Sequence, residues 1–330
     1  DHDLLKGALA LDSILGSHFG IRSSGNVVAF LYRHTMASDD LQGLPEGGMG
    51  ALTAALAKSA EAAGVEIHTA AEVSSINVEN CRVTGATLDG GEKFTAKRII
   101  SNADVKKTVL DLVGSRHFEA DFVHAVSHVR MRGSAAKLHL ALSGLPDFNA
   151  LNEQALAARM VIAPSVDEIE YAFNPIKYGG FSRQPLMEFS LPSISDPSLV
   201  DGDGHVLNAT VQYAPYNLKG GWTEAARAQF LSICLDQLES YAPDIKAKIQ
   251  HAELLTPVDL EQRFGMTGGD WNHGEMALDQ LYVLRPVPAA ARYRLPLDGL
   301  YLCGAGTHPG GGVMGAAGRN TAGIILKEAV

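Results

Sequence analysis

Apolar and polar residues alternate over several short segments in the middle of the chain, a pattern typical of half-buried antiparallel strands. In the clearest segment, 134–141, Leu138 and Leu140 fall on one face, and Lys137 and His139 fall on the other. Further strands are predicted at 159–163, 184–191 and 206–213. Residues 223–241 instead carry apolar residues at helical spacing. These patterns predict an antiparallel sheet flanked by helices.

The N-terminal part of the chain mixes helical and strand patterns. Residues 3–15 are predicted to be helical, and 27–33 to form a β-strand. A helix predicted at 51–63 ends at Gly64, a residue suited to a left-handed C-cap, and 65–69 is predicted to be a strand. Three further strands are predicted at 72–78, 81–88 and 93–100, with an Asp-Gly turn between the last two.

The last thirty residues carry the strongest chemical signal in the chain. A short apolar strand at 299–303 enters a glycine-rich loop at 304–315, and a helix of small residues follows. Glycine has no Cβ, so backbone can approach a flat or phosphorylated ligand closely. The start of a helix also offers unpaired N–H groups and a positive dipole end. We interpret the loop as a cofactor site, because apolar residues typical of a core lie on both sides of it.

The loop is not a complete dinucleotide-binding unit. Gly310, Gly312 and Gly315 fit G-x-G-x-x-G, but that motif directly follows a strand and opens a βαβ unit. Here Pro309 and other residues intervene, and the sequence runs only to Val330. A second glycine-rich segment, at 46–50, opens a helix but lacks the full spacing.

Residues 301–315, Tyr-Leu-Cys-Gly-Ala-Gly-Thr-His-Pro-Gly-Gly-Gly-Val-Met-Gly, resemble the C-terminal flavin motif of the phytoene desaturase-like FAD-dependent oxidoreductases. Segments 47–52, 100–104 and 264–276 agree with the same family in the same order, so the resemblance covers nearly the whole chain. It implies an α/β fold of mixed (α+β) content. An incomplete Rossmann-like FAD-binding domain would carry an inserted antiparallel-sheet substrate domain.

The resemblance also implies a division into domains. Residues 44–105 and 256–330 would form the partial FAD-binding domain, and residues 1–43 and 106–255 the substrate-binding domain. Family members begin with a βαβ unit that carries G-x-G-x-x-G and an acidic residue for the adenosine ribose, and this sequence has neither. We therefore expect the chain to be the C-terminal part of a longer protein, with a missing N-terminal FAD-binding segment as its partner.

By this resemblance, FAD is contacted by the C-terminal loop and by one strand. The residues predicted to bind the cofactor are Val73, Gly304, Ala305, Gly306, Gly312, Val313, Met314, Gly315 and Ala316. Val73 would contact the adenine through its main chain, although a simple buried valine is an equal interpretation. The start of the helix would lie near the pyrimidine carbonyl of the flavin, where negative charge develops on reduction.

Candidate catalytic side chains are few, because a flavin itself accepts the hydride. His308 could serve an acid–base step or close a turn before Pro309. His273 and Glu275 could line a substrate pocket or brace their glycine-rich loop. His124 and His128 have the i, i+4 spacing of a metal pair, but no third ligand accompanies them, and no metal site is predicted.

Composition narrows the class of protein. With 330 residues, 46% hydrophobic and 19% charged, the chain has the composition of a globular protein of about two domains. A formal net charge of −10 without a basic run argues against nucleic acid. No apolar stretch is long enough to span a membrane, and residues 4–19 are the one candidate for peripheral membrane contact. Three scattered cysteines indicate a reducing compartment, the cytoplasm or, in a eukaryote, the mitochondrion.

Three functional interpretations stay open. The first is the C-terminal part of an FAD-dependent oxidoreductase that desaturates or oxidises an apolar, carotenoid-like substrate by hydride transfer. The second is a catalytically inert binding or interaction module without bound FAD. The third is a carotenoid desaturase or isomerase proper. The glycine loop favours an oxidoreductase, whereas the missing nucleotide-binding unit favours the inert module.

Overall fold

The computed structural model describes residues 2–36, 45–149 and 151–328. The chain separates into two compact units. Unit 1 comprises Asp1–Ile67 and Gly133–Asp259, and unit 2 comprises His68–Arg132 and Leu260–Val330. The domain boundary predicted near residue 44 lies outside the described residues. The assignment of flavin and substrate roles to particular ranges stays a prediction.

Strands and helices are numbered here in chain order. The strands are β1 Val73–Glu79, β2 Arg82–Leu88, β3 Lys93–Thr95, β4 Ile99–Ser101, β5 Ala135–Leu142, β6 Met160–Ile162, β7 Leu186–Ser190, β8 His205–Gln212, β9 Ile249–Leu255 and β10 Leu300–Leu302. The helices are α1 Asp3–Asp12, α2 Asn26–Met36, α3 Gly48–Ala62, α4 Ala120–Ser127, α5 Glu153–Leu156, α6 Val166–Phe173, α7 Pro192–Ser195, α8 Glu224–Glu239, α9 Ile245–Lys248, α10 Pro257–Phe264 and α11 Ala316–Glu328. A π-helix covers Lys107–Gly114, and short 3₁₀ turns connect several elements.

Unit 1 is built on a five-stranded antiparallel sheet in the order β6-β7-β8-β5-β9. Leu138 lies opposite Ala209, and Leu140 lies opposite Leu207, so one face of β5 and β8 is largely apolar. Helix α8 packs Phe230 and its apolar neighbours into the same core. The predictions of strands at 134–141, 159–163, 184–191 and 206–213, and of a helix at 223–241, are confirmed within a few residues.

The N-terminal segment of unit 1 is more helical than predicted. The predicted helix at 3–15 is confirmed as α1, which ends at Asp12, but the predicted strand at 27–33 is wrong because these residues belong to α2. The two adjacent valines and the aromatic residues of this segment suit a strand equally well, so local pattern could not decide. Helical spacing brings the rings of Phe30 and His34 to 4.2 Å and lets Arg33 bind Asp12.

Helix α3 is unusual because none of its residues is buried. The predicted helix at 51–63 is confirmed, with Gly64 at a φ of +85° directly after it. The predicted strand at 65–69 is wrong: within the described part of the chain no strand pairs with these residues. A strand needs a neighbour for its backbone groups, and the sequence pattern alone does not supply one.

Unit 2 contains two small sheets. β1, β2 and β3 form an antiparallel meander, and β10 pairs with β4 in parallel, with Leu300 opposite Ile99. The single strand predicted at 93–100 is therefore divided between β3 and β4, which belong to different sheets. A core of aliphatic residues from β1, β2, β10, α4 and the π-helix holds the unit together. Across the described ranges, no helix is long and apolar enough to cross a membrane.

Candidate functional site

The C-terminal ends of β4 and β10 bring two loops of unit 2 together. The backbone N–H of Cys303 donates to the carbonyl of Ser101 at 2.9 Å, directly after both strands end. Because parallel strands end at the same edge of a sheet, the glycine loop that follows β10 lies against the loop that follows β4. Ligands of parallel α/β sheets bind at such edges, which makes this edge the candidate site.

The glycines of the loop fall into two kinds. A Cβ at Gly304 would lie 2.5 Å from the carbonyl oxygen of Asn102, and a Cβ at Gly306 would lie 3.0 Å from that of His273. These two glycines are buried and are needed for packing within the protein. Gly312 and Gly315 are exposed at positive φ angles of +100° and +65°, and nothing lies within 4 Å of a Cβ at Gly315. The second pair therefore leaves backbone open to a ligand.

The remaining predicted cofactor residues occupy different settings. Ala305 is half-buried, and Ala316 begins α11. Val313 is 71% exposed at a φ of +63°, a conformation that β-branched residues rarely adopt, and Met314 is also exposed. Val73 begins β1, pairs with Leu88 and is 37% exposed. Residues 304–306 and 312–315 thus share one loop, Ala316 opens the helix that follows it, and Val73 lies elsewhere in the same unit.

A buried arginine fixes this loop from inside. Arg285 is 2% exposed, and its guanidinium donates hydrogen bonds to several backbone carbonyls of the surrounding loops. The acceptors are the carbonyl oxygens of Asn272, Gly274, Glu275, Gln280 and Ala305. One side chain therefore holds the 272–280 segment to the glycine loop. Arg285 was not predicted as a site residue from the sequence. Its one distinguishing feature there is that it is a charged residue within an apolar run.

Two aspartates are buried beside these segments. Burial raises the pKa of Asp270 to about 7, although the backbone N–H of Asn272 donates to its carboxylate at 2.9 Å. Asp104 is 2% exposed and accepts from the backbone N–H of Lys107 and from the hydroxyl of Thr267. Neither aspartate was predicted as a site residue, although both lie in segments that carry the family resemblance, 100–104 and 264–276. Both lie in loops, where no periodic pattern indicates burial.

His273 and Glu275 have distinct environments. His273 adopts a φ of +54°, and its buried Nδ1 has no hydrogen-bond partner among the described residues. Burial lowers the pKa of its imidazole, with Asp104 acting in the opposite direction. Glu275 is 2% exposed, and its carboxylate accepts from Arg130 at 3.0 Å and from Arg132. Glu275 is thereby bound to the 130–132 segment of the same unit.

His308 and the histidine pair of α4 complete the predicted set. The carbonyl of His308 accepts from the hydroxyl of Tyr293 at 2.6 Å, and its ring lies 6.2 Å from that of Tyr282. The rings of His124 and His128 lie 4.1 Å apart. In the part of the chain that the structure describes, no group of three metal-ligating side chains is assembled.

Open glycine backbone at the start of α11 fits the edge of a planar ring. Gly312 and Gly315 have no side chain to cover their exposed backbone. The first turn of α11 supplies unpaired N–H groups and the positive end of the helix dipole. This arrangement suits a flat group that gains negative charge, as a flavin does on reduction.

A family model described as "Flavin containing amine oxidoreductase" matches residues 5–326, almost the whole chain. The chain belongs to this family. The resemblance to the phytoene desaturase-like oxidoreductases is confirmed, since a phytoene desaturase (lycopene-forming) of Pantoea ananas is 26% identical over 292 residues. That match covers 87% of this chain and 56% of the desaturase.

A more similar member is "Pyridine nucleotide-disulfide oxidoreductase domain-containing protein 2" of Rattus norvegicus. It is 38% identical over 339 residues, which is 98% of this chain and 58% of the rat protein. The chain thus spans a little over half the length of these curated relatives.

Solved structures agree on the fold of the family. An oxidoreductase from Methanosarcina mazei superimposes with a TM-score of 0.64 at 18% identity, over 98% of this chain and 64% of that one. A triple mutant of putrescine oxidase gives a TM-score of 0.53 at 16% identity, over 85% and 53% of the two chains. The mixed helix-and-sheet fold is therefore that of the flavin amine oxidases.

Proposed function

We propose that this chain forms the C-terminal part of an FAD-dependent oxidoreductase that oxidises or desaturates an apolar, carotenoid-like substrate. The observation that carries the proposal is the open glycine backbone at 312–315, joined to the start of α11. The similarity to the Pantoea ananas protein, which is named a phytoene desaturase, supports desaturation as the reaction. The exposed Leu4, Leu5 and Leu9 of α1 suit contact with a lipid surface, where such a substrate would be found.

The residues of the chain have defined roles in this proposal. Bound FAD supplies an acceptor for the hydride that leaves the substrate. Gly312 and Gly315 let backbone approach the ring, and the positive end of α11 favours the negative charge of the reduced state. Arg285 holds the loop in place through backbone carbonyls. Asp270 is buried beside these loops, and burial raises its pKa to about 7.

An inert interaction module is the second candidate. Helix α3 favours it, because none of its residues is buried and Met49 and Leu56 are 44% and 63% exposed. Apolar side chains on a helix surface are typical of a face that another protein segment covers. The two candidates differ in whether the protein binds a flavin.

A titration of the purified protein with FAD separates the two candidates, and two glycine variants test the site. Gly315→Ala adds a methyl group at the proposed flavin face. Gly91→Ala is the matched control, since Gly91 also has a positive φ of +85° and open space around its Cβ position but lies in the β2–β3 turn. Both variants should lose about 1 kcal/mol of stability through backbone strain. Only Gly315→Ala should weaken FAD binding, by roughly tenfold or more.

The visible absorption spectrum and the intact mass of the same sample complete the test. A folded, colourless protein that takes up no FAD would show that this chain does not hold the flavin by itself and would favour the interaction module. Equal FAD affinity of the two glycine variants would reject the loop at 312–315 as the flavin contact.

A further inference from the structure

A cavity of about 540 Å³ opens between two loops of unit 1 and the first turns of α8. The loops cover residues 175–183 and 218–223. All the residues that line the cavity belong to unit 1, whereas the candidate flavin site belongs to unit 2. A cavity of this volume accommodates a small organic molecule.

Two cations and no carboxylate are found among the described residues that line this cavity. Arg183 and Lys219 are both exposed, and neither makes an ion pair within the described part of the chain. The neighbouring Lys177 differs, because its Nζ binds Glu170 at 3.0 Å. In a chain with a formal net charge of −10, the cavity therefore concentrates positive charge that no nearby carboxylate offsets.

Glu224, which begins α8, does not offset these charges. Ala226 and Gln229 line the cavity from α8, and their spacing of three residues places them on one face of the helix. Glu224 precedes Ala226 by two positions, a spacing at which side chains of a helix point in different directions. Its carboxylate makes no ion pair with either cation of the cavity.

Backbone hydrogen bonds and stacked rings hold the two loops in place. The backbone N–H of Lys219 donates to the carbonyl of Gly179 at 2.7 Å, which joins one loop to the other. The ring of Phe181 stacks on that of Trp222, with centroids 5.8 Å apart, and the indole N–H donates to the carbonyl of Pro215 at 2.8 Å. The backbone that carries the two cations is thus fixed before a ligand arrives, which reduces the entropy lost on binding.

The rest of the lining combines polar and apolar groups. Tyr178 and Thr223 contribute hydroxyls, and Gln229 contributes an amide. The hydroxyl oxygen of Thr223 accepts from the backbone N–H of Ala226 at 3.2 Å, so the first turn of α8 is already capped. The two cations, and not the start of the helix, therefore supply the attraction for an anion. Apolar surface in the same lining comes from Pro175, Phe181 and Leu218.

We propose that this cavity binds a small organic phosphate monoester, with Arg183 and Lys219 holding the phosphate group. Two cations match the two negative charges of a phosphate monoester. The planar guanidinium of Arg183 suits two phosphate oxygens at once, and Lys219 adds a point charge. A carboxylate would leave one of the cations without a counter-ion. The organic part of the ligand would contact the apolar lining. The site goes beyond the proposed function and does not depend on flavin binding.

Calorimetric titration of the purified protein with phenyl phosphate at about pH 8, where the phosphate carries two negative charges, tests the proposal. Benzenesulfonate has the same ring with one negative charge, and inorganic phosphate has the charge without the ring. Phenyl phosphate should bind saturably and more tightly than either. Added salt should weaken its binding, because both cations are exposed.

Single substitutions locate the binding. Arg183→Gln should weaken phenyl phosphate binding by about tenfold or more, and Lys219→Gln by about threefold to tenfold. Both side chains are exposed, so both variants should fold. Arg22→Gln is the matched control: Arg22 is an exposed arginine of unit 1 that binds Asp167 and does not line the cavity, so its loss should leave binding unchanged.

The absence of saturable binding, equal affinities for phenyl phosphate and benzenesulfonate, or equal effects of Arg183→Gln and Arg22→Gln would each overturn the proposal. Vesicles that contain phosphatidic acid separate a lipid headgroup from a free molecule as the source of the phosphate. The protein should not sediment with these vesicles. Sedimentation that Arg183→Gln abolishes would assign the two cations to a lipid headgroup and overturn the proposed small-molecule ligand.

Discussion

Units 1 and 2 bury charged side chains in different ways. In unit 1, Arg33 and Arg159 pair with carboxylates at the polar face of the sheet and keep 34% and 42% of their side-chain surface exposed. In unit 2, Arg285 is almost wholly buried, and backbone carbonyls accept its hydrogen bonds. Water can replace a partner in the first arrangement but not in the second. The loops of unit 2 therefore depend on a wholly buried guanidinium in addition to ion pairs such as that of Glu275 with Arg130, whereas unit 1 combines its half-exposed ion pairs with a large apolar core.

Arg285→Met should have the largest effect. It removes the donors of several buried carbonyls at once, so we expect a loss of roughly 4 kcal/mol or more in the free energy of unfolding. Urea denaturation measures it, with the exposed Arg292→Met as the control that should change little. Similar losses in the two variants would show that unit 2 does not depend on the buried guanidinium.

Asp270→Asn should change the pH dependence of stability. The folded-state pKa of about 7 lies above the ordinary 3.8, so the contribution of the protonated carboxyl is complete below about pH 4. It is lost as the pH rises from about 4 to about 7, by an amount on the order of a few kcal/mol. Thermal unfolding should show this decline in the native protein and a flatter profile in Asp270→Asn. Parallel profiles would mean that Asp270 titrates normally.

Gly304→Ala tests the close approach of the two loops. Its Cβ would lie 2.5 Å from the Asn102 carbonyl oxygen, and overpacking of this kind costs about 1–3 kcal/mol. Gly318→Ala in α11 is the control, because open space surrounds its Cβ position and alanine favours helices by about 0.5–1 kcal/mol. The midpoints of urea unfolding should move in opposite directions. A shift in the same direction would contradict the distinction between packed and open glycines.

Arg159→Leu should have the smallest effect and completes the comparison with Arg285. Arg33 still binds both carboxylates in this variant, and the pairs are partly exposed, so we expect a loss of about 1 kcal/mol. The difference from the native protein should shrink in 1 M salt, where the screening length falls to about 3 Å. An effect as large as that of Arg285→Met would erase the contrast between the units.

Sequence patterns predicted the five-stranded sheet of unit 1 better than the N-terminal segment of the same unit. The strands β5 and β8 have one buried and one polar face, so alternation indicates them directly. Residues 27–33 are mostly apolar, with two β-branched valines and no clear period, and they belong to a helix instead. The segment 93–100, predicted as one strand, forms two strands because its two ends pair with different partners. The choice of pairing partner is set by the three-dimensional fold and not by the local pattern.

The candidate site was predictable in outline only. Its glycine loop has a recognisable composition, but the contacts of Gly304 and Gly306 come from residues distant in sequence. Local pattern does not reveal which glycines pack against protein and which stay open. The burial of Arg285 and Asp270 is likewise set by the surrounding loops, and charged residues in loops are ordinarily exposed.

The lack of buried residues in helix α3 implies that its amide hydrogens exchange with solvent much faster than those of the central strands of unit 1. The backbone N–H of Gly47 bonds to Asp196 before the helix begins, but no residue of α3 is buried. A helix of this length with little tertiary packing is only marginally stable in water. Amide hydrogens at 48–62 should therefore exchange through local opening at little free-energy cost. Those at the centre of β5 and β8 should exchange only through global unfolding of their unit.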